Sequence, residues 1–176
     1  RILAAVWNGL SLSDDGGHTF RSSNVYQQGG LIGTSLSVHR DPSHQYGAVV
    51  YAAVTLAGED PPITALFRSD DGGATWEETV RIESGAYGIT RPVYGRVLGT
   101  SDGAVWFGVQ GDNRPNPAAT TGIILRSEDE GQTLTEAGTG YGYYSPYMLA
   151  EAPDGRVYVA SDSLVWRTVD PVVAVA

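Results

Sequence analysis

Eleven arginines, ten tyrosines and twenty carboxylates carry most of the chemistry available to this 176-residue chain. Cysteine is absent, so disulfides and thiolate metal sites are excluded. His18, His39 and His44 form no ligand-spaced cluster with carboxylates, and neither a metal nor a cofactor is expected. The most suggestive groups stand beside glycine and proline. Tyr87 and Arg91 lie in AYGITRPVYGR, Arg114 lies in GDNRPNPAATTG, and Tyr143 and Tyr144 close the run GTGYGYY. A guanidinium is the natural bidentate partner of a carboxylate, and a loop tyrosine can stack its ring on a sugar or protein face while its hydroxyl bonds. Tyr87, Arg91, Arg114, Tyr143 and Tyr144 are therefore the expected ligand-binding residues. Tyr147 ranks behind them because it falls on a strand, and Arg96 lies five residues beyond Arg91. The plainer alternative is that the rings fill gaps between structural units. Glu59, Asp60, Glu83, Asp112 and Glu136 are candidate acids, but none pairs visibly with a tyrosine, and surface ion pairing is their ordinary role. No catalytic residue is assigned.

The elements that must position these groups repeat. SDDGGHTF (Ser13–Phe20), SDDGGATW (Ser69–Trp76) and SEDEGQTL (Ser127–Leu134) start 56 and 58 residues apart, and a weaker start follows at Thr168-Val169-Asp170. In each, Ser, Asp, Gly and Thr recur at fixed offsets: Ser13, Asp15, Gly17, Thr19; Ser69, Asp71, Gly73, Thr75; Ser127, Asp129, Gly131, Thr133. Such an Asp can accept bonds from its own turn, and the Gly supplies a positive φ. Their expected role is structural, with the last aromatic (Phe20, Trp76) or Leu134 buried between units. Alternating apolar segments follow further Asp-Gly or Tyr-Gly turns at Asp102, Asp154 and Tyr46.

The motif Ser-x-Asp-x-Gly-x-Thr-Trp/Phe resembles the Asp box of the sialidase-like (BNR-repeat) β-propellers, and the resemblance covers nearly the whole chain. It implies an all-β fold of four-stranded antiparallel blades, at about residues 1–25, 35–80, 92–136 and 146–176. The first strand of each blade is expected at Leu36–Arg40, Val93–Thr100 and Tyr147–Glu151, and the second at Ile2–Trp7, Ala48–Thr55, Ala104–Gln110 and Arg156–Ser161. That makes 14 strands, or 15 if Val172–Val175 adds one, where four full blades need 16. An arc of a larger ring, completed by further blades or an oligomeric partner, is the expectation. The N-terminus reads as a strand already under way, as in a piece of a longer protein. In a meandering blade the Asp boxes lie opposite the face where related propellers bind ligands. On that face the connections Leu56–Thr64 and Gly111–Gly122 are unusually long, which is where function collects. They should lie side by side, near Arg91 and the Tyr141–Tyr144 cluster.

Sialidases of this family hold the substrate carboxylate with three arginines and attack with a Tyr–Glu pair assisted by an Asp. Arg91, Arg96 and Arg114 are the arginines available, but the Phe and Pro of the family's Phe-Arg-Ile-Pro motif are missing around Arg1-Ile2. The resulting reading is a binding or adhesion module for a glycan or a partner surface, in a secreted, cell-surface or virion tail protein. The alternatives are a glycoside hydrolase, sialidase-like or xyloglucanase-like, with part of its site outside the chain, and a purely structural scaffold. A formal charge of −9 disfavours nucleic acid, and no apolar run approaches a membrane span.

Overall fold

The computed structural model describes residues 1–6, 9–23, 25, 31–56, 58–112, 122–137, 145–161 and 163–169. These hold fourteen strands in four antiparallel meanders. The first sheet is β1 (Ile2–Val6), β2 (Gly9–Ser13) and β3 (Arg21–Ser23). The second is β4 (Leu31–Arg40), β5 (Ala48–Leu56), β6 (Ile63–Ser69) and β7 (Glu77–Ile82). The third is β8 (Pro92–Gly99), β9 (Val105–Gly111), β10 (Gly122–Ser127) and β11 (Thr135–Glu136). The fourth is β12 (Met148–Glu151), β13 (Val157–Ala160) and β14 (Val165–Arg167). Strand β4 begins five residues before the expected Leu36. Gly33, at φ 72°, carries a register shift between Leu31 and Thr34, so a glycine-rich stretch that reads as loop is strand. Among the described residues, no helix is long and apolar enough to cross a membrane.

The sheets stack face to face in chain order, which explains why β5 is apolar throughout (AVVYAAVTL) rather than alternating. Its odd residues, Val49, Tyr51 and Ala53, join Val97, Phe107 and Leu125 of the third sheet in one core. Its even residues, Ala52, Val54 and Leu56, join Leu10 and Val25 of the first. A third core unites Trp106 and Ile124 with Val157 and Val159 of the fourth sheet.

The three repeated turns share one hydrogen-bond pattern. In the first, the Ser13 hydroxyl donates to Asp15 Oδ1 (2.8 Å) and accepts from Gly17 N (2.8 Å), while Thr19 donates its N–H (3.0 Å) and its hydroxyl (2.6 Å) to the same carboxylate. Asp71 and Asp129 repeat this with Ser69, Gly73 and Thr75 and with Ser127, Gly131 and Thr133. Each turn has two successive positive-φ residues, and the third places Glu130 (φ 59°) in the first of them, where the others have glycine, with Gly131 (φ 90°) in the second. Hydroxyl donors from Ser127 and Thr133 hold Asp129 down to about 2, and the Thr19 hydroxyl lowers Asp15 still further. Burial would raise Asp71, but the bonds from Thr75 outweigh it and its pKa is also lowered. A depressed folded-state pKa contributes stability above the unfolded value, about 4, that is lost as pH falls through the folded one. The melting temperature should therefore drop between pH 4 and pH 2. Asp129→Asn should flatten that drop in a pH series of thermal melts, and an unchanged slope would contradict the assignment.

The second turn also joins sheets. Trp76 is half-buried against the core shared with the first sheet, and its Nε1–H donates to Ser23 Oγ (2.8 Å). That hydroxyl donates in turn to Gly73 O, and a Cβ on Gly73 would lie 2.5 Å from Leu3. Leu134 packs likewise against the core between the second and third sheets. Phe20 does not follow the expected burial and is 50% exposed. The second and third turns pack against the sheet before their own, at Leu3 and Leu66, whereas the first turn, which Phe20 closes, meets Ile2 of its own sheet.

Candidate functional site

Strand register separates two ends of the molecule. Ser69 faces Val50 and Ser127 faces Val105, which puts the repeated turns where β5 and β9 begin. Leu56 pairs with both Leu31 and Ile63, and Gly111 pairs with Pro92, which puts the two long connections at the opposite end, where β4 and β8 begin. The first connection is shorter than expected. Leu56, Ile63 and Thr64 are buried strand residues, so the extra length sits in 57–62. In the second, Gly111 and Gly122 are strand, and 113–121 lie outside the described residues. Arg114, Tyr143 and Tyr144 also lie outside them, as does Tyr141.

Tyr87 and Arg91 belong to the connection from β7 to β8, which is wound around a fully buried Ile89. Gly85 N donates to Ile89 O (2.7 Å), Ile89 N to Ala86 O (2.9 Å), and the Ser84 hydroxyl to Thr90 O. The anchored turn presents Tyr87, 39% exposed, in the left-handed region (φ 52°), a conformation uncommon for an aromatic residue. Arg91 is exposed, its carbonyl accepts from Asp112 N (2.7 Å), and no carboxylate pairs with it among the described residues.

Four residues complete the region. A Cβ on Gly95 would meet Thr64 and Ala53 of the second sheet, and on the other side of β8 Arg96 reaches toward the fourth, while the Tyr94 ring lies against Gly33 of β4, where a Cβ would stand 3.0 Å from it. The Arg96 guanidinium lies 5.8 Å from the Tyr94 ring centroid and donates from Nε to Tyr147 O (2.9 Å) and from Nη1 to Gly95 O (2.9 Å). Tyr147 precedes β12 rather than lying on it and is 46% exposed; Tyr94 is 38% exposed. Gln110, opposite Tyr94 in the ladder, has a buried Oε1 without a hydrogen-bond partner among the described residues, an arrangement that costs free energy unless another donor meets it. Tyr94 and Gln110 were not singled out from sequence. The usable signal was their position: each lies one or two residues inside a strand end that faces a long connection.

Among the described residues, no carboxylate hydrogen-bonds to Tyr87, Tyr94 or Tyr147. Of the candidate acids, Glu59 lies 3.9 Å from Arg81. The arrangement offers exposed phenol rings, guanidinium donors and an amide acceptor, a set suited to holding a polyhydroxylated ligand. At the opposite end Asp41, His44 and Glu130 have ligand atoms within 4.8 Å of one another. Arg68 already bridges Glu130 and Asp70, at 2.6 Å to each, so a dication would enter against a resident cation, and we assign no metal there.

Neither a protein-family model nor a curated protein matches the chain. Among solved structures it is similar to a protein of unknown function from Dyadobacter fermentans DSM 18053, with TM-score 0.60, 17% identity, and coverage of 92% of this chain and 47% of that one. It is also similar to the Hadza microbial sialidase Hz136, with TM-score 0.57, 20% identity, and coverage of 95% and 40%. An α-L-arabinofuranosidase from Fusarium graminearum in complex with an iminosugar inhibitor aligns with TM-score 0.50, 14% identity, and coverage of 86% and 47%. The chain spans less than half the length of each. At these identities the likeness shows a shared fold: four antiparallel sheets arranged as in β-propeller glycoside hydrolases.

Proposed function

We propose that this chain recognises carbohydrate at the end of the third sheet where β8 begins, as the binding surface of a secreted or surface-displayed protein. One observation carries the reading. Tyr94, Arg96 and Tyr147 converge at a single strand end with the unpartnered carbonyl of Gln110, and Tyr87 and Arg91 stand on the connection that leads into the same strand. Phenol rings supply faces for the C–H side of a sugar, while the guanidinium and amide groups match its hydroxyls. A fold shared with a sialidase is consistent with a saccharide ligand and favours a second reading, glycoside hydrolysis. That reading needs a pair of carboxylates flanking the scissile bond.

A glycan array followed by titration of the best hit tests the proposal. Tyr94→Ala and Arg91→Ala should each weaken binding at least about tenfold, with melting temperatures close to that of the parent. Tyr87→Gly should also weaken binding, yet raise stability by roughly 0.5–1 kcal/mol, because it removes a left-handed non-glycine residue. A silent array, or binding indifferent to all three changes, would sink the reading. Turnover of aryl glycosides by the parent would favour the hydrolase.

A further inference from the structure

The turn from β4 to β5 carries Asp41 and His44 at the same end of the molecule as the repeated turns. Its own backbone holds it: Asp41 N donates to Gly47 O (3.0 Å), His44 N to Asp41 O (3.2 Å) and Gly47 N to His44 O (2.8 Å). The His44 side chain is 18% exposed and stands between two carboxylates. Its Nε2 lies 3.4 Å from Asp41 Oδ2, and its Nδ1 lies 3.4 Å from Asp70 Oδ1 in the second repeated turn. Glu130, in the third repeated turn, brings a further carboxylate within 4.8 Å of the Asp41 and His44 ligand atoms. Arg68 joins the two turns, donating at 2.6 Å to Asp70 and at 2.6 Å to Glu130.

An imidazole carries one N–H when neutral and two when protonated. With a carboxylate at each ring nitrogen, a neutral ring donates to one and turns a lone pair toward the other, whichever tautomer it adopts. The imidazolium donates to both. The surrounding charges act in the same sense, since three carboxylates face the single guanidinium of Arg68 and a proton on His44 supplies a second cation. The neighbouring groups hold their charge while a histidine titrates. Bonds from Ser43 keep the Asp41 carboxyl below its ordinary value, and His44 and His39 of β4 add to that effect. Burial pushes Tyr51 of β5, beside Arg68, up to about 12, so its hydroxyl stays neutral.

We propose that His44 is a proton-operated clamp on the seam between the second and third sheets, closed when both ring nitrogens carry hydrogen and loosened when one does not. The closed form ties the turn after β4 to the second repeated turn directly and, through Arg68 and Glu130, to the third. Glu130 stands where the first two turns have Gly16 and Gly72, so the third sheet supplies its carboxylate to the clamp from a left-handed position. A fold that holds the imidazolium by both nitrogens gains stability when the ring is charged and loses that increment as pH rises through the histidine range. The seam therefore tightens in mildly acidic surroundings, at pH values above those that discharge the aspartates of the repeated turns.

Thermal melts of the parent and of His44→Gln, from about pH 8 to about pH 5.5, test the clamp. Glutamine cannot take up a proton, so on acidification the parent should gain about 2 °C or more relative to the variant. The Gly99 N–H, which donates to Ser37 Oγ across the same seam (2.9 Å), gives a local readout. At the acid end its hydrogen exchange should be at least about threefold slower in the parent than in His44→Gln, and at pH 8 the two should agree. Asp41→Asn combined with Asp70→Asn should erase the gain, Glu130→Gly should shrink it, and His39→Gln should keep it. Parallel pH profiles for the parent and His44→Gln would overturn the proposal. So would a gain that survives loss of both aspartates, or one that disappears with His39 instead. Zn²⁺ that raises the melting temperature at pH 8 but not at the acid end, and only with His44 and Glu130 both present, would overturn it too, since the cluster would then be a metal centre.

Discussion

Trp76→Ala should cost about 3–5 kcal/mol in a denaturant titration, whereas Phe20→Ala, at the same position of the first turn, should cost less than about 1 kcal/mol. Sequence treats the two residues alike, since each closes a Ser-Asp-Asp-Gly-Gly-x-Thr turn. Their surroundings differ. The Trp76 ring packs against the core shared by the first and second sheets, which includes Leu10, Val25 and Phe67, and donates its indole N–H to Ser23 Oγ. Truncation would open a cavity at the junction of two sheets and leave Ser23, 3% exposed, without one of its partners. Phe20 is 50% exposed, so its loss removes little buried surface. Equal costs for the two substitutions would show that the turn aromatic acts within its own hairpin rather than between sheets. A near-neutral Trp76→Ala would refute the packing outright.

The same contrast marks how far the sequence was legible. Strand positions came through because hydrogen-bonding turns and apolar runs are local signals: Asp102-Gly103 announces β9, Asp154-Gly155 announces β13, and each serine-opened turn announces the hairpin around it. The end of the molecule occupied by each connection followed from counting antiparallel strands. Burial did not follow, because it depends on which sheet stands opposite. Nothing in SDDGGHTF distinguishes a phenylalanine with a neighbouring sheet from one without. The candidate site was legible only in part for a related reason. Arg91 and Tyr87 sit among glycines and prolines and look like loop residues, and they are exposed near the long connections. Tyr94 and Gln110 look like ordinary strand residues. Their role depends on contacts distant in sequence: Arg96, beside the Tyr94 ring, bonds to Tyr147 O 51 residues away, and that ring lies against Gly33 of β4.

Gly95→Ala should destabilise the chain by about 2–3 kcal/mol and weaken ligand binding as well, although glycine here has no positive φ to explain its presence. The reason is space. An added Cβ would stand 2.7 Å from Thr64 Cγ2, 2.9 Å from Ala53 Cβ and 3.1 Å from Phe107 Cε2. Two of these atoms belong to the second sheet, so the methyl acts as a wedge that drives β8 away from β5 and β6. Thr64 and Ala53 are fully buried and cannot swing aside. Because Tyr94 and Arg96 flank Gly95 on β8, the same displacement moves Arg96 relative to Tyr147, to which it is bonded, and the Tyr94 ring relative to Gly33 of β4, against which it lies. Thr64→Ser supplies the decisive control. It deletes the methyl nearest the wedge and keeps the hydroxyl that meets Thr55 Oγ1 at 3.1 Å. Alone it should cost about 1 kcal/mol for the lost buried methyl. Combined with Gly95→Ala, it should cost at least about 1 kcal/mol less than the two changes summed, and part of the lost binding should return. Strict additivity in the double-mutant cycle would show that Gly95 is not held small by Thr64. Recovery of stability without recovery of binding would detach the wedge from the ligand site and leave Tyr94 and Arg96 without a role in recognition.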